Sequence, residues 1–187
     1  MKEADRTAIW RPAAGRGTGS DECALWRDSR GWRLEGLVVT DYHGEPAQVR
    51  YAVGCDADWA TRTARVELRT PSAQRYIELR AHNRRWFDGD GRELEVVHGC
   101  VDVDLGMTPA TNTLPLRRLA LAIGESCDVT AAWVRFPELT IEPLPQRYTR
   151  LDERRYRYES ATGFMAELTV DDVGLVVDYP GGWERVQ

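Results

Sequence analysis

Two carboxylates stand two residues apart at Asp102 and Asp104, in the run GCVDVDLGMTPATNTLPLRRLAL from Gly99 to Leu121. On a strand, side chains alternate with period two, so this spacing puts both on one face. An Asp-x-Asp pair can hold a divalent cation that carries a sugar-nucleotide diphosphate. That chemistry needs a nucleotide-binding α/β sheet, and no βαβ rhythm surrounds the motif. Hard cations also take more oxygen ligands than two side chains offer. Arg117 and Arg118 follow shortly after, and a buried charge left without a partner is costly. The expectation is that Asp102 and Asp104 form structural ion pairs with Arg117 or Arg118, with no metal bound. The same arginines have forked donors suited to a phosphate or carboxylate, close to the free amides at a helix start.

Other polar clusters are candidates for ligand recognition. Asp56-Ala57-Asp58-Trp59-Ala60-Thr61-Arg62 is a polar turn in which Trp59 and Arg62 can stack on each other or offer a flat face to a sugar ring. Arg147 and Tyr148, like Arg154 to Tyr158, alternate basic and aromatic residues along strand, which reads as a cross-strand ladder. Nucleophilic catalysis has little support. No Gly-x-Ser-x-Gly elbow is present, and no cysteine carries a catalytic signature. His43, His82 and His98 are isolated, and His98 two residues before Cys100 lacks an orienting third group. No catalytic residue and no cofactor are assigned.

The elements that must hold these residues are mostly strands. Ala64, Val66 and Leu68 alternate with Arg65, Glu67 and Arg69, a strand with one wet face. Similar alternation runs through Trp32–Val38, Val49–Val53 and Ile77–Ala81, then again through Val129–Phe136, Leu139–Ile141, Arg155–Glu159, Phe164–Val170 and Leu175–Tyr179. Asp88-Gly89-Asp90-Gly91 and Asp172-Val173-Gly174 read as tight turns, and Ala13–Ser20 as a loop. One helix is expected from Asn112 or Thr113, with that side chain as cap and Pro115 in the first turn. Leu116, Leu119, Ala120 and Ile123 form its apolar stripe, and Gly124 ends it.

The 187 residues fit a single domain spanning 1–187. A net charge of -5 excludes the basic footprint of a nucleic-acid binder. No run approaches ~18 consecutive apolar residues, and the first ten residues lack the apolar core of an export signal, so a cytoplasmic protein without membrane insertion is expected. Cys23, Cys55, Cys100 and Cys127 are widely spaced and read as small core residues rather than disulfides or zinc ligands.

Several blocks resemble a bacterial family described as putative glycolipid-binding. They are Tyr51–Arg62 (YAVGCDADWATR), Gly99–Leu119 with its TNTLPLRRL segment, Gln146–Leu151 (QRYTRL), Arg155–Ser160 (RYRYES) and Val170–Pro180 (VDDVGLVVDYP). The likeness covers most of the chain and is weakest before residue 30. It implies a mainly β protein, a spiral β-roll in which a long curved antiparallel sheet wraps a single α-helix. It also implies a non-enzymatic protein that binds a glycolipid or fatty-acid-like ligand in an apolar cavity between sheet and helix. Trp59, Arg62, Asn112, Arg117, Arg118, Arg147 and Tyr148 are then the candidate ligand-binding residues. Two other readings compete. One is an enzyme on a small amphipathic or sugar-bearing substrate, using Asp102, Asp104, His98 or Arg117. The other is a protein-interaction module using exposed sheet or the aromatic C-terminus around Tyr179 and Trp183.

Overall fold

The computed structural model describes residues 4–15, 17–42 and 44–187, which leaves His43 outside the described residues. The chain lays down β1 (Arg6–Pro12), β2 (Gly19–Asp28), β3 (Gly31–Tyr42), β4 (Glu45–Cys55), β5 (Thr61–Arg69), β6 (Gln74–His82) and β7 (Arg85–Asp88). After β8 (Val103–Leu105) comes the helix α1 (Thr113–Leu119). The second half adds β9 (Ser126–Val134), β10 (Ile141–Arg150), β11 (Arg155–Ser160), β12 (Met165–Val170), β13 (Val176–Tyr179) and β14 (Trp183–Arg185). Period-two patterning explains most of these strands: β4 buries Ala47, Val49, Tyr51, Val53 and Cys55, and turns the residues between them outward.

Among the described residues, fourteen strands join one sheet in the order β7-β6-β5-β4-β3-β2-β1-β14-β13-β12-β11-β10-β9-β8. Neighbours are successive antiparallel hairpins except at two places. β1 pairs with β14, so the two ends of the chain meet mid-sheet and join its halves. β8 adds in parallel to β9. Strand twist makes so wide a sheet curl rather than lie flat. The curl brings the β8 edge against β5: Thr61 N–H donates to the Val101 carbonyl, and Val103 N–H donates to Thr61 Oγ1. The mainly β architecture is therefore a curved, unclosed roll, and both edges are blunted. At β7 the Leu94 N–H reaches the Trp86 carbonyl, and at β8 the Leu105 N–H reaches Thr111 Oγ1.

Three local differences from the sequence expectation have physical causes. First, β7 follows β6 through Asn83-Arg84, both at positive φ (50° and 60°), whereas Asp88–Gly91 is the next turn. Arginine is rarely chosen for such a mirror-image turn, so the hairpin carries little signal. Second, β1 and β2 flank the Ala13–Ser20 stretch, and Trp10 anchors them by full burial and an indole N–H donated to the Val176 carbonyl at 2.8 Å. Third, the helix is shorter than expected. It follows a 3-10 turn at Ala110–Asn112, has no side-chain cap, and ends with Ala120 in the left-handed region at φ 46°. Ile123 is exposed, and Gly124 belongs to the later turn. Instead of a long stripe, the helix buries its whole first turn. Leu114 packs in the larger core with β1–β9, and Leu116 packs in a second cluster with Tyr148, Tyr156, Tyr158 and Leu168.

A glycine marks one of the close approaches within the sheet. A Cβ on Gly36 would lie 2.3 Å from the Tyr51 ring carbon and hydroxyl and 2.6 Å from the Glu22 carbonyl. Tyr51 is held in place by hydrogen bonds to Asp21 and Thr108. Gly36→Ala is therefore expected to cost about 3 kcal/mol through overpacking. A urea midpoint equal to that of the wild type would contradict it.

Candidate ligand-binding cleft

A cleft of ≈ 440 Å³ opens between the connector from β8 to α1 and the sheet rim made by the β11–β12 and β13–β14 turns. Asp104 on β8, Tyr158 on β11 and Trp133 on β9 line one side, and Phe164, Tyr179 and Trp183 come from the rim. Chain order alone cannot collect these six, because β8 reaches the second half of the sheet only through its parallel pairing with β9. Tyr158, Phe164 and Tyr179 pack mutually, with ring centroids 5.6–6.3 Å apart.

Behind this aromatic group lies a hydrogen-bonded polar wall. Gln146 Nε2 donates to Asp104 Oδ2 at 2.5 Å and to the Tyr158 hydroxyl oxygen at 3.1 Å. The Tyr148 hydroxyl donates to Asn112 Oδ1 at 3.0 Å, and Asn112 Nδ2 donates to the Pro109 carbonyl at 3.1 Å. Burial raises the Asp104 carboxyl to about 6, partly offset by the Gln146 hydrogen bond. Burial likewise pushes the phenols of Tyr148 and Tyr158 above their ordinary value. The Thr108 hydroxyl, also in the lining, donates to Asp21, which accepts from the Tyr51 hydroxyl as well. Asp21 is fully buried, and burial raises its carboxyl to about 7.

The residues singled out in the sequence do not converge on this cleft. Asn112 lines it, with its side chain spent on Tyr148 and Pro109 rather than on capping the helix. Tyr148 is buried behind it. Arg147 lies exposed on a separate groove and pairs with Asp128 at 3.0 Å. Arg62 pairs with Asp56 at 2.6 Å and does not stack on Trp59. Trp59 is buried at positive φ (68°), stacks on Trp32 at 4.3 Å, and carries the Arg117 guanidinium 5.7 Å from its ring.

Only one of the two aspartates has an arginine. Arg118 Nε donates to Asp102 Oδ1 at 2.9 Å, and its Nη2 donates to Oδ2 at 2.6 Å. Asp104 has Gln146 instead of an ion pair, because Arg118 is taken by Asp102 and Arg117 turns toward Trp59. The rival catalytic set is scattered in the same way. His98 bonds to Glu93, and Cys100 is a buried free thiol whose burial raises it to about 11. Among the described residues, no three His, Cys, Asp or Glu side chains gather as metal ligands.

A second cleft, of ≈ 570 Å³, does lie between the helix and the sheet. Its walls include Arg117, Arg150, Arg154, Asp171 and Asp172, so it is charged where an apolar cavity was expected. The helix buries its apolar residues in the two cores, leaving arginines and the acids of the β12–β13 turn for the gap. Tyr179 and Trp183, read from sequence as an aromatic C-terminus for a protein partner, are half-buried and line the first cleft. Sequence reasoning missed Phe164 and Trp133 in the cleft lining and Gln146 behind it. Each sits in an ordinary strand or turn pattern, and only the register brings them together.

The family model described as putative glycolipid-binding matches residues 7–185. A crystal structure of a DUF1089 family protein from Pseudomonas aeruginosa is similar to this chain at 37% identity and a TM-score of 0.81, covering 89% of this chain and 92% of that one. No curated protein matches.

Proposed function

This chain belongs to the putative glycolipid-binding family, and from that premise we propose that it binds an amphipathic, glycolipid-like or fatty-acid-like molecule in the cleft at the sheet rim, without chemical turnover. The observation that carries this reading is the composition of the cleft. Trp133, Leu144, Phe164 and Trp183 offer apolar and aromatic surface, and Asp104 and Asn112 sit at fixed polar positions beside it. Small-molecule sites typically combine an apolar lining with a few placed polar groups in a volume of about 300–1,000 Å³. Burying an acyl chain there would contribute about 25 cal/mol per Å² of apolar surface removed from water. Dispersal of the candidate catalytic groups also favours binding over catalysis. His98 is engaged by Glu93 and Arg117 by Trp59, neither lines the cleft with Asp104, and Asp102 is committed to Arg118.

The test is native mass spectrometry of gently purified protein, followed by titration with C12 alkyl glucoside and lauric acid below their micellar concentrations. The expected result is a one-to-one adduct with at least one of them. Protein that is ligand-free on purification and takes up neither amphiphile overturns the reading.

A further inference from the structure

Asp104 is the one charged side chain in the cleft lining among the described residues, and no arginine, lysine or histidine faces it there. Its partner is the neutral amide of Gln146. The rest of the lining is aromatic, hydroxyl, amide, glycine or aliphatic. A carboxylate in this setting lacks the counter-charge that nearly every other well-buried acid here has: Asp102 holds Arg118, and Asp171 holds Arg185 at 2.7 Å. Asp21 shares that lack, but it is sealed in the core and presents no surface to a ligand. Aromatic ring faces attract cations through their quadrupoles, and alkylammonium groups are recognised by such rings next to a carboxylate. Tyr158, Phe164 and Tyr179 supply a group of rings beside Asp104 in the same cleft. The Trp133 ring of the lining has the Arg135 guanidinium 5.2 Å from its centre.

We infer that the polar end of the ligand carries a positive charge, an ammonium or quaternary ammonium group seated against Asp104 and the Tyr158–Phe164–Tyr179 rings. This rests on the reading of the cleft as an amphiphile site and specifies its headgroup. An anionic headgroup would meet the carboxylate with like charge, and a neutral sugar would leave it without a counter-charge.

The experiment compares three probes with the same C12 tail: dodecyltrimethylammonium, dodecyl glucoside and laurate, titrated below their micellar concentrations and followed by isothermal calorimetry at pH 7.5. The expected order places the ammonium probe about tenfold tighter than the glucoside, with laurate weakest. Asp104→Asn keeps the shape and the Gln146 contact, and should reduce the ratio of ammonium to glucoside affinity about tenfold. Thr162→Lys places a cation on an exposed residue of the lining, so folding is not at stake, and should weaken the ammonium probe and strengthen laurate. Equal affinity for the three headgroups, or an ammonium preference that survives both variants, overturns the inference. Glucoside binding without ammonium preference sinks the headgroup claim alone. Failure of all three probes removes the amphiphile reading as well.

Discussion

Asp102→Ala is expected to lower the melting temperature by about 10 °C, the largest loss from any single truncation of a polar side chain in this fold. Asp102 is almost fully buried, and it accepts two hydrogen bonds from Arg118, whose side chain is itself only 21% exposed. Removing the carboxylate strands a guanidinium in a place where water reaches it poorly, which costs about 3–5 kcal/mol. Burial raises the Asp102 carboxyl even with Arg118 against it, so the pair gains little over neutral packing. What the truncation exposes is the cost of the orphan. The double variant Asp102→Leu/Arg118→Met should therefore be more stable than Asp102→Ala alone, as buried pairs replaced by apolar residues often are. Calorimetric melting of the three proteins checks it. A double variant less stable than the single one would show that the pair itself holds α1 to the β8 edge.

Stability should fall as pH rises from about 4.5 to about 7. Asp21 has hydroxyl partners and no cation at hydrogen-bonding distance, and burial raises it from 3.8 to about 7. The folded protein therefore keeps a proton that the unfolded chain has already lost in this window. The stability this proton confers is fully present below the unfolded value of 3.8 and is gone once pH passes about 7, beyond which the curve is flat. A displacement of this size corresponds to about 4 kcal/mol. Asp104, raised to about 6, acts in the same direction. Glu93 is lowered to about 2 by Arg85 and acts in the opposite sense, but its effect lies below the window. Asp21→Asn should remove most of the slope and melt higher than wild type at pH 8. A wild type whose stability rises with pH across the window, or a variant with an unchanged slope, would contradict this.

How legible these features were from sequence follows from how local their causes are. β5 and β4 could be read because alternation of Val, Leu and Tyr with Arg and Glu is a property of adjacent residues. The Asp102–Arg118 pair lies within one short segment, and the expected neutralisation of an acidic strand by the helix arginines already contained it. The resemblance through TNTLPLRRL supplied the curled sheet around a short helix, which alternation alone does not specify. The β6–β7 hairpin was hidden because its turn places Arg84 at positive φ. Asn112 was read as a cap because of its residue type, but the 3-10 turn before α1 frees its side chain for Tyr148. The cleft was least legible of all. Asp104 joins Tyr158 and Trp183 only because β8 pairs in parallel with β9, and Pro12 and Thr40 reach the same cleft because β1 pairs with β14. Asp21 was invisible for a related reason: its partners Tyr51 and Thr108 are 30 and 87 residues away.

The central claim concerns a place: an amphiphile sits in the cleft bounded by the β8–α1 connector and the turns of the second half-sheet. The most direct measurement is photocrosslinking with a C12 alkyl chain that carries a terminal diazirine, followed by peptide mapping of the adducts. The account predicts saturable labelling of peptides containing Leu144, Phe164 and Trp183, competed away by unlabelled amphiphile. Saturable labelling confined to the charged gap beside α1, at Arg117, Arg154 or Asp172, would contradict it.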